Sequence, residues 1–480
     1  MHILIPVYFN APAGGLHENV FSTAKECIKN DYQVTVLCKE GIFTNKLLEN
    51  GINVINTTFE ASDLPNTFKE IVQLHSHQKI DVIHTHPFHS RKIAQLISKV
   101  LGIPIFLTMH GKYYDQIGKN IEDIDLVFTV SEGIKEHLLQ YLDQAKKNHY
   151  RHKFFVVPNG VDRKLFNCNH NYRPKSEKHS DVVNISLVTR LDKDKEFIIN
   201  IFYKALEFTS RSTSEKIKWT IVGDGTLKDE VAEKCNVITE GKLEVEFVGW
   251  KENEALRDEY INSDIILAPG RCALEGMSCG KPVIALGSKG YIGLIDYNNW
   301  MQGVYTNFGG VGNKAEDYIE GSVEKDLSTL LNNKVYREEV GDFSESLVIQ
   351  FFDEEKINHN LLGYYKMYSM KNQQEHSLDI EKAESELEKI LLSSEIKEIS
   401  INKNTEREFD FTIDDTMGNL QYAWYIYEYA VENRLIDRTP FGDSNHFNYY
   451  FSHKGKFKAK CIVKTPKAKI SLFSKEVIIE

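Results

Sequence analysis

The chain has 480 residues, 41% of them hydrophobic and 26% charged, with a net charge of -11 at pH 7. That length predicts two or three globular domains with large cores, and the acidic balance argues against a general nucleic-acid binder. No apolar run approaches the roughly 20 residues of a membrane span, and no charged leader precedes the first strand. The seven cysteines are scattered without C-x-x-C spacing, which suits reduced thiols in a cytoplasm.

Residues 2–6 read as a buried strand. A loop through Gly14-Gly15 follows, then a helix from Leu16 with Val20, Phe21, Ala24, Cys27 and Ile28 on one face, then a strand over 33–38. This is the first unit of a doubly wound sheet. Gly14-Gly15 lets backbone come close to a phosphate, but it is not G-x-G-x-x-G and on local sequence reads as a turn. Further strands are expected over 81–84, 105–108, 126–130 and 154–157. They lead into Thr85-His86-Pro87, Met109-His110-Gly111, Ser131-Glu132 and Pro158-Asn159-Gly160. Polar groups thus collect after strand C-termini, where open α/β sheets bind ligands. His86, His89 and His110 sit at three separate points, which is not a metal-ligand spacing. His110 alone reads equally as a hydrogen-bonded capping histidine or as a substrate contact.

Residues 170–180 read as a linker. A new alternating unit begins with a strand over 183–188, followed by Thr189-Arg190-Leu191-Asp192-Lys193-Asp194-Lys195. Arg190 and Lys195 straddle a strand-to-helix turn, where two cations suit a diphosphate; a charged surface turn is the plainer alternative. Asp192-x-Asp194 and Asp123-x-Asp125 have a D-x-D spacing that can hold Mg²⁺, but the interleaved lysines and the adjoining strand make both read as accidents. Strands over 219–222 and 245–248 end in Gly223-Asp224-Gly225 and Gly249-Trp250, leaving that sheet edge open to a ligand. Then come two buried strands, 265–267 and 283–285. Between them Pro269-Gly270-Arg271 opens a small-residue helix over 272–279, stopped by Gly280-Lys281-Pro282. Its free N–H groups suit an anion, and Glu275, one turn in, can accept both hydroxyls of a ribose or simply face solvent. A helix over 351–368 closes this half.

The order of these segments resembles the retaining GT-B glycosyltransferases of family four, the glycosyl transferases group 1 superfamily. The matching elements are Gly14-Gly15, His110-Gly111, Val130-Ser131-Glu132 and Val157-Pro158-Asn159-Gly160-Val161-Asp162. In the second half they are Thr189-Arg190-Leu191 with Lys195, Val222-Gly223-Asp224-Gly225, Phe247-Val248-Gly249, and the run from Ala273-Leu274-Glu275-Gly276 to Pro282-Val283-Ile284-Ala285. The resemblance implies two Rossmann-like domains facing a cleft. It implies that Arg190 and Lys195 bind the donor diphosphate, Glu275 the ribose, and that Gly15 lies near the diphosphate and His110 near the donor sugar. It also implies metal-independent transfer with retention at the anomeric carbon. The family's E-x7-E is broken here, because Leu267 stands eight residues before Glu275. Backbone of residues 270–272, or residues within 287–293, are the expected replacements.

Residues 373–392 are Glu/Lys-rich at helical spacing and read as a connecting helix. After them the period becomes two, with strands expected over 409–413, 422–427, 448–451, 457–464 and 472–479. This resembles an Ig-like β-sandwich module. Lys456, Lys458, Lys460 and Lys464 face away from Phe457, Ala459, Cys461 and Val463, as a solvated face, a protected edge, or a contact for an anionic acceptor or a membrane.

The expected architecture is therefore α/β GT-B plus a small all-β domain: 1–172 acceptor-side, 173–370 nucleotide-sugar binding, 371–398 linker helix, 399–480 accessory. The expected activity is a cytoplasmic glycosyltransferase moving a sugar, with a UDP-sugar favoured, to a glycan or lipid-linked acceptor. The expected catalytic residues are Arg190, Lys195 and His110. The expected donor-binding residues are Gly14, Gly15, Arg190, Lys195, Gly223, Gly225, Gly270, Arg271 and Glu275. No metal, cofactor or nucleic-acid partner is expected. A non-catalytic glycan-binding scaffold and a nucleotide-sugar epimerase of the same architecture are the alternatives.

Overall fold

The computed structural model describes residues 1–9, 15–60, 62–167, 182–211, 216–309, 315–371, 398–415, 419–429 and 433–480, with a few positions between 385 and 396. Gly14, the linker over 170–180 and most of the connecting helix over 373–392 lie outside them. Contacts divide the chain into two compact units, residues 1–56, 78–95 and 104–373, and residues 57–77, 96–103 and 374–480.

The first unit holds two doubly wound sheets. Strands β1 (His2–Val7), β2 (Gln33–Cys38), β3 (Asn53–Asn56), β4 (Val82–Thr85), β5 (Ile105–Met109), β6 (Leu126–Thr129) and β7 (Phe154–Val156) form the first. All its pairings are parallel, in the order β3-β2-β1-β4-β5-β6-β7. β1 and β5 are buried at every position, as strands covered on both faces must be. Strands β8 (Val182–Val188), β9 (Lys216–Val222), β10 (Glu244–Gly249), β11 (Ile265–Ala268), β12 (Val283–Gly287) and β13 (Gly290–Leu294) form the second, in the order β10-β9-β8-β11-β12-β13. β3 was not foreseen. Neither was β13, which folds back antiparallel on β12 through Ser288-Lys289 and closes the edge.

The chain passes between these domains twice, and both passages depart from the expected boundaries. Val161 and Phe166 pack in the same core as Val188, Ile266 and Met277 of the second domain, so the crossing precedes residue 172. The helix expected over 351–368 runs Glu354–Lys371, and a further helix that was not foreseen, Lys334–Phe351, precedes it. Asp353 breaks them apart, its carboxylate accepting from the Glu355 N–H at 3.0 Å. Leu361, Leu362 and Tyr365 then pack with Ile3, Ile5 and Phe106 in the first core, so this end of the 173–370 segment belongs to the first domain. The two crossings pair with one another: Val161 N–H donates to Phe352 O at 2.8 Å and Glu354 N–H to Val161 O at 3.1 Å. A Cβ at Gly160 would lie 2.5 Å from Glu354 Cα, which explains the glycine.

The second unit contains an all-antiparallel region of two sheets. One joins β14 (Ser400–Lys403), β15 (Glu408–Thr412) and β18 (His446–Tyr450). The other joins β16 (Gln421–Tyr429), β17 (Asn433–Arg438), β19 (Gly455–Lys464), β20 (Lys469–Phe473) and β21 (Val477–Ile479). Phe409, Phe411, Trp424, Ile426, Phe457 and Cys461 share one core between them. The strand expected over 472–479 is two short strands, and β14 and β17 were missed.

Candidate functional site

The order of the second sheet reverses between β8 and β11, so the loops after these strands diverge and leave a crevice at their C-terminal ends. The loop after β8 carries Arg190 and Lys195. The Arg190 guanidinium is 2.8 Å from Asp192 and 3.1 Å from Asp194, and its side chain is 47% exposed. Lys195 Nζ lies 3.0 Å from Asp194 and donates to Ser288 Oγ, beyond β12, at 3.0 Å. Both cations are thus held in place and reachable from solvent. The carboxylates of the D-x-D are engaged by these cations. Asp192 also accepts from the Thr226 backbone N–H at 3.0 Å, which holds its carboxyl below the usual range.

Gly223 and Gly225 have a different role from the open sheet edge expected of them. A Cβ at Gly223 would lie 1.9 Å from Thr189 O, and one at Gly225 2.5 Å from Leu191 O. Leu191 N–H donates to Asp224 O at 2.9 Å. The glycines therefore let the loop after β9 lie directly against the loop that carries Arg190.

The helix after β11 runs Gly270–Ser278, two residues earlier than expected. Gly270 has φ 49°, and its N–H donates to Phe308 O at 2.7 Å. Glu275 is not on a solvated face: it is only 5% exposed. Oε1 accepts from Arg271 Nε at 2.8 Å and Oε2 from the Tyr260 hydroxyl at 3.1 Å. Burial pushes its carboxyl above the ordinary value, with Arg271 opposing. Each oxygen retains a further lone pair, so the carboxylate can still accept from a diol. Arg271 also lies 3.8 Å from Glu354 at the start of the returning helix, and Glu18 of helix Gly15–Lys29 adds to its field. Arg271 is therefore a link between the donor-side helix and the first domain. Leu267 is wholly buried within β11 and offers nothing to a sugar.

The first sheet reverses between β1 and β4. Beside that point stands a histidine cluster that sequence spacing did not reveal. β4 and β5 are neighbours, which brings His86 and His110 together, with His110 Nε2 3.1 Å from His86 Nδ1. One ring donates and the other accepts. His86 Nε2 and His110 Nδ1 are buried without a partner. His84, on β4, contacts Thr108 Oγ1 at 2.6 Å and the Tyr365 hydroxyl. Burial lowers His110 to about 4 and His84 to about 3, and holds His86 well below its ordinary value. The cluster is neutral at pH 7, so His110 acts as a hydrogen-bonding group and not as a cation. His89 is elsewhere, stacked on Tyr8 at 4.4 Å. Among the described residues, no group of three His, Cys, Asp or Glu side chains could hold a metal. Gly15 opens helix Gly15–Lys29, with nothing within 4 Å of the position a Cβ would take.

Two doubly wound domains around a cleft, joined by a returning C-terminal helix, make this the GT-B architecture. A Rickettsia africae glycosyltransferase superposes with TM-score 0.61 at 20% identity, over 78% of this chain and 99% of that one. Anabaena HepE in complex with UDP superposes with TM-score 0.58 at 18% identity, over 76% and 100%. Residues 13–165 match Glycosyltransferase Family 4, and residues 183–303 match Glycosyl transferases group 1. The chain thus has the GT-B fold, with glycosyltransferase models matching each of its parallel-sheet domains and an added all-antiparallel C-terminal region. An uncharacterized glycosyltransferase of Methanocaldococcus jannaschii is 22% identical over 390 residues, 77% of this chain and 98% of the relative. An uncharacterized 41.2 kDa protein in the cps region of Klebsiella pneumoniae is 26% identical over 252 residues, 47% and 65%.

Proposed function

We propose that the enzyme transfers a hexose or N-acetylhexosamine unit from a UDP-sugar to a glycan or lipid-linked acceptor in surface polysaccharide or glycoconjugate synthesis, with retention at the anomeric carbon. The observation that carries this reading is the convergence on one switch point of two fixed cations, Arg190 and Lys195, and a buried carboxylate, Glu275. A nucleoside diphosphate has the matching order of groups: charged phosphates, then a ribose diol. The Anabaena neighbour, which was solved with UDP and with UDP-glucose, supports uridine as the base.

In this reading Arg190 forks onto the diphosphate and Lys195 adds a point charge, stabilising the negative charge that develops as the sugar departs. Glu275 accepts from the ribose hydroxyls. Gly15, which opens its helix, supplies a backbone N–H group, and Arg271 holds Glu275. Gly223 and Gly225 set the loop that carries Arg190. His110, kept neutral, hydrogen-bonds the donor sugar. No bound metal is required, because Asp192 and Asp194, the carboxylates beside the diphosphate site, are already neutralised by Arg190 and Lys195.

The test is UDP-sugar turnover, with Arg190→Ala and Lys195→Ala each expected to lower kcat/KM by more than tenfold while the protein stays folded. Each loses a term of roughly 2.7–4 kcal/mol at most, the scale measured for a single oxyanion donor. Near-normal turnover in both variants removes the diphosphate assignment.

A further inference from the structure

The chain is acidic overall, yet residues 444–475 contain eight lysines and no aspartate or glutamate. The fold gathers several of these on one surface. β19 alternates buried and accessible positions along its length. Phe457, Ala459, Cys461 and Val463 enter the core, which leaves Lys456, Lys458, Lys460 and Lys464 on the outer face. Register extends that face sideways. Tyr425 and Tyr427 of β16 stand opposite Lys460 and Lys458. Phe473 and Lys469 of β20 stand opposite Lys460 and Lys464.

Rings and ammonium groups interleave. Lys458 Nζ lies 4.4 Å from the Tyr429 ring centroid, Lys460 5.4 Å from that of Phe473, and Lys464 5.3 Å from that of Phe441. Among the described residues, Lys458, Lys460 and Lys464 have no carboxylate within ion-pair distance, while Lys456 is 3.9 Å from Glu476 at the edge. A merely solvated sheet face would mix both signs of charge. This one carries cations over aromatic rings, and the cations follow a single extended strand. Four lysines on eight residue steps span roughly 27 Å.

We propose that the outer face of β16, β19 and β20 docks the acceptor, and that the acceptor is a linear anionic glycan bearing carboxylates or phosphates. The inference rests on the transferase reading and names its acceptor class. A linear row of charge matches a linear polyanion. The rings between the lysines offer flat apolar surface to the C–H faces of the sugars.

The experiment uses the full chain and polygalacturonate oligosaccharides as probe, with neutral dextran and vesicles containing about 30% phosphatidylglycerol in parallel arms. Binding to polygalacturonate is expected, weakening at least tenfold between about 50 mM and about 200 mM NaCl. Dextran and vesicles are expected not to bind. Lys458→Gln, Lys460→Gln and Lys464→Gln together should weaken binding at least tenfold, whereas the same change at Lys242, Lys325 and Lys334 should not. The Lys→Arg triple at 458, 460 and 464 should retain binding. UDP-induced stabilisation, measured on the same samples, should be equal in all, which separates failure of this proposal from failure of the donor site. No polygalacturonate binding at low salt, equal binding by the Gln triple, or binding to vesicles alone would overturn it.

Discussion

Gly223→Ala gives a sharp test of how the donor loop is held. The added methyl would sit 1.9 Å from Thr189 O, at a residue whose φ is 150°. A carbon–oxygen contact requires roughly 3.2 Å, so the loops after β8 and β9 must separate by about 1.3 Å, on top of backbone strain of order 1–3 kcal/mol. Thr189 is anchored by its N–H to Val222 O at 3.1 Å and cannot yield without carrying Arg190 with it. The combined cost is about 2–4 kcal/mol, within the stability of a domain of this size, so the variant folds with a lower Tm, by about 2–4 °C per kcal/mol. A displacement near 1 Å at a positioning element can cost about 10²-fold in rate. UDP-sugar kcat/KM should therefore fall between tenfold and a hundredfold, with UDP binding weakened in step. Gly241→Ala is the control, since its φ is also positive at 72° but nothing lies within 4 Å. It should lose about 1 kcal/mol of stability and no turnover. A Gly223→Ala enzyme with unchanged Tm and unchanged turnover would refute the argument.

Three further outcomes are expected. His86→Phe leaves His110 Nε2 buried without its partner and should lower turnover at least tenfold. His86→Asn, which restores a polar atom near the Nδ1 position, should recover part of it; equal loss in both would make the pair a packing feature only. His84, His86 and His110 are held neutral in the folded state and have ordinary values near 6.5 when unfolded. The unfolded chain therefore binds more protons below pH 6.5, and stability is lost as pH falls from there towards 4. That amounts to about 1 kcal/mol per histidine by pH 5.5. Urea midpoints at pH 7.5 and 5.5 should show this drop, and His110→Gln should reduce it; an identical pH dependence in the variant would contradict the neutral assignment. Gly160→Ala, whose Cβ would meet Glu354 Cα at 2.5 Å, should pry apart the paired crossings. X-ray scattering should then report a changed separation of the two parallel-sheet domains, and an unchanged profile would remove the hinge role.

Much of the architecture was legible because parallel strands buried on both faces leave unbroken apolar runs. Ile265-Ile266-Leu267 and Val283-Ile284-Ala285 are fully buried, as such runs require. The domain crossings were harder to read. The apolar spacing from Phe351 to Tyr365 continues across Asp353, so the break is visible only in the cap that Asp353 makes. β13 was hidden by its own glycines, Gly290 and Gly293, which weaken any strand signal on an edge. The site residues that lie in local motifs could be named from sequence, but their partners could not. His86 meets His110 only because β4 lies beside β5, and Gly223 is needed only because Thr189 presses against it. The burial of Glu275 depends on Tyr260 and Arg271 closing over it, and Tyr260 comes from the preceding helix, outside the motif.

The most direct measurement is thermal stabilisation of the full chain by UDP in the presence of EDTA. At about 100 times its dissociation constant, UDP should add about 2.7 kcal/mol, a rise of several degrees, exceeding that given by ADP or GDP. Arg190→Ala and Glu275→Ala should each remove most of that rise. No shift with any nucleotide, or a UDP shift that survives both substitutions, would contradict the placement of the donor at the β8–β11 switch point.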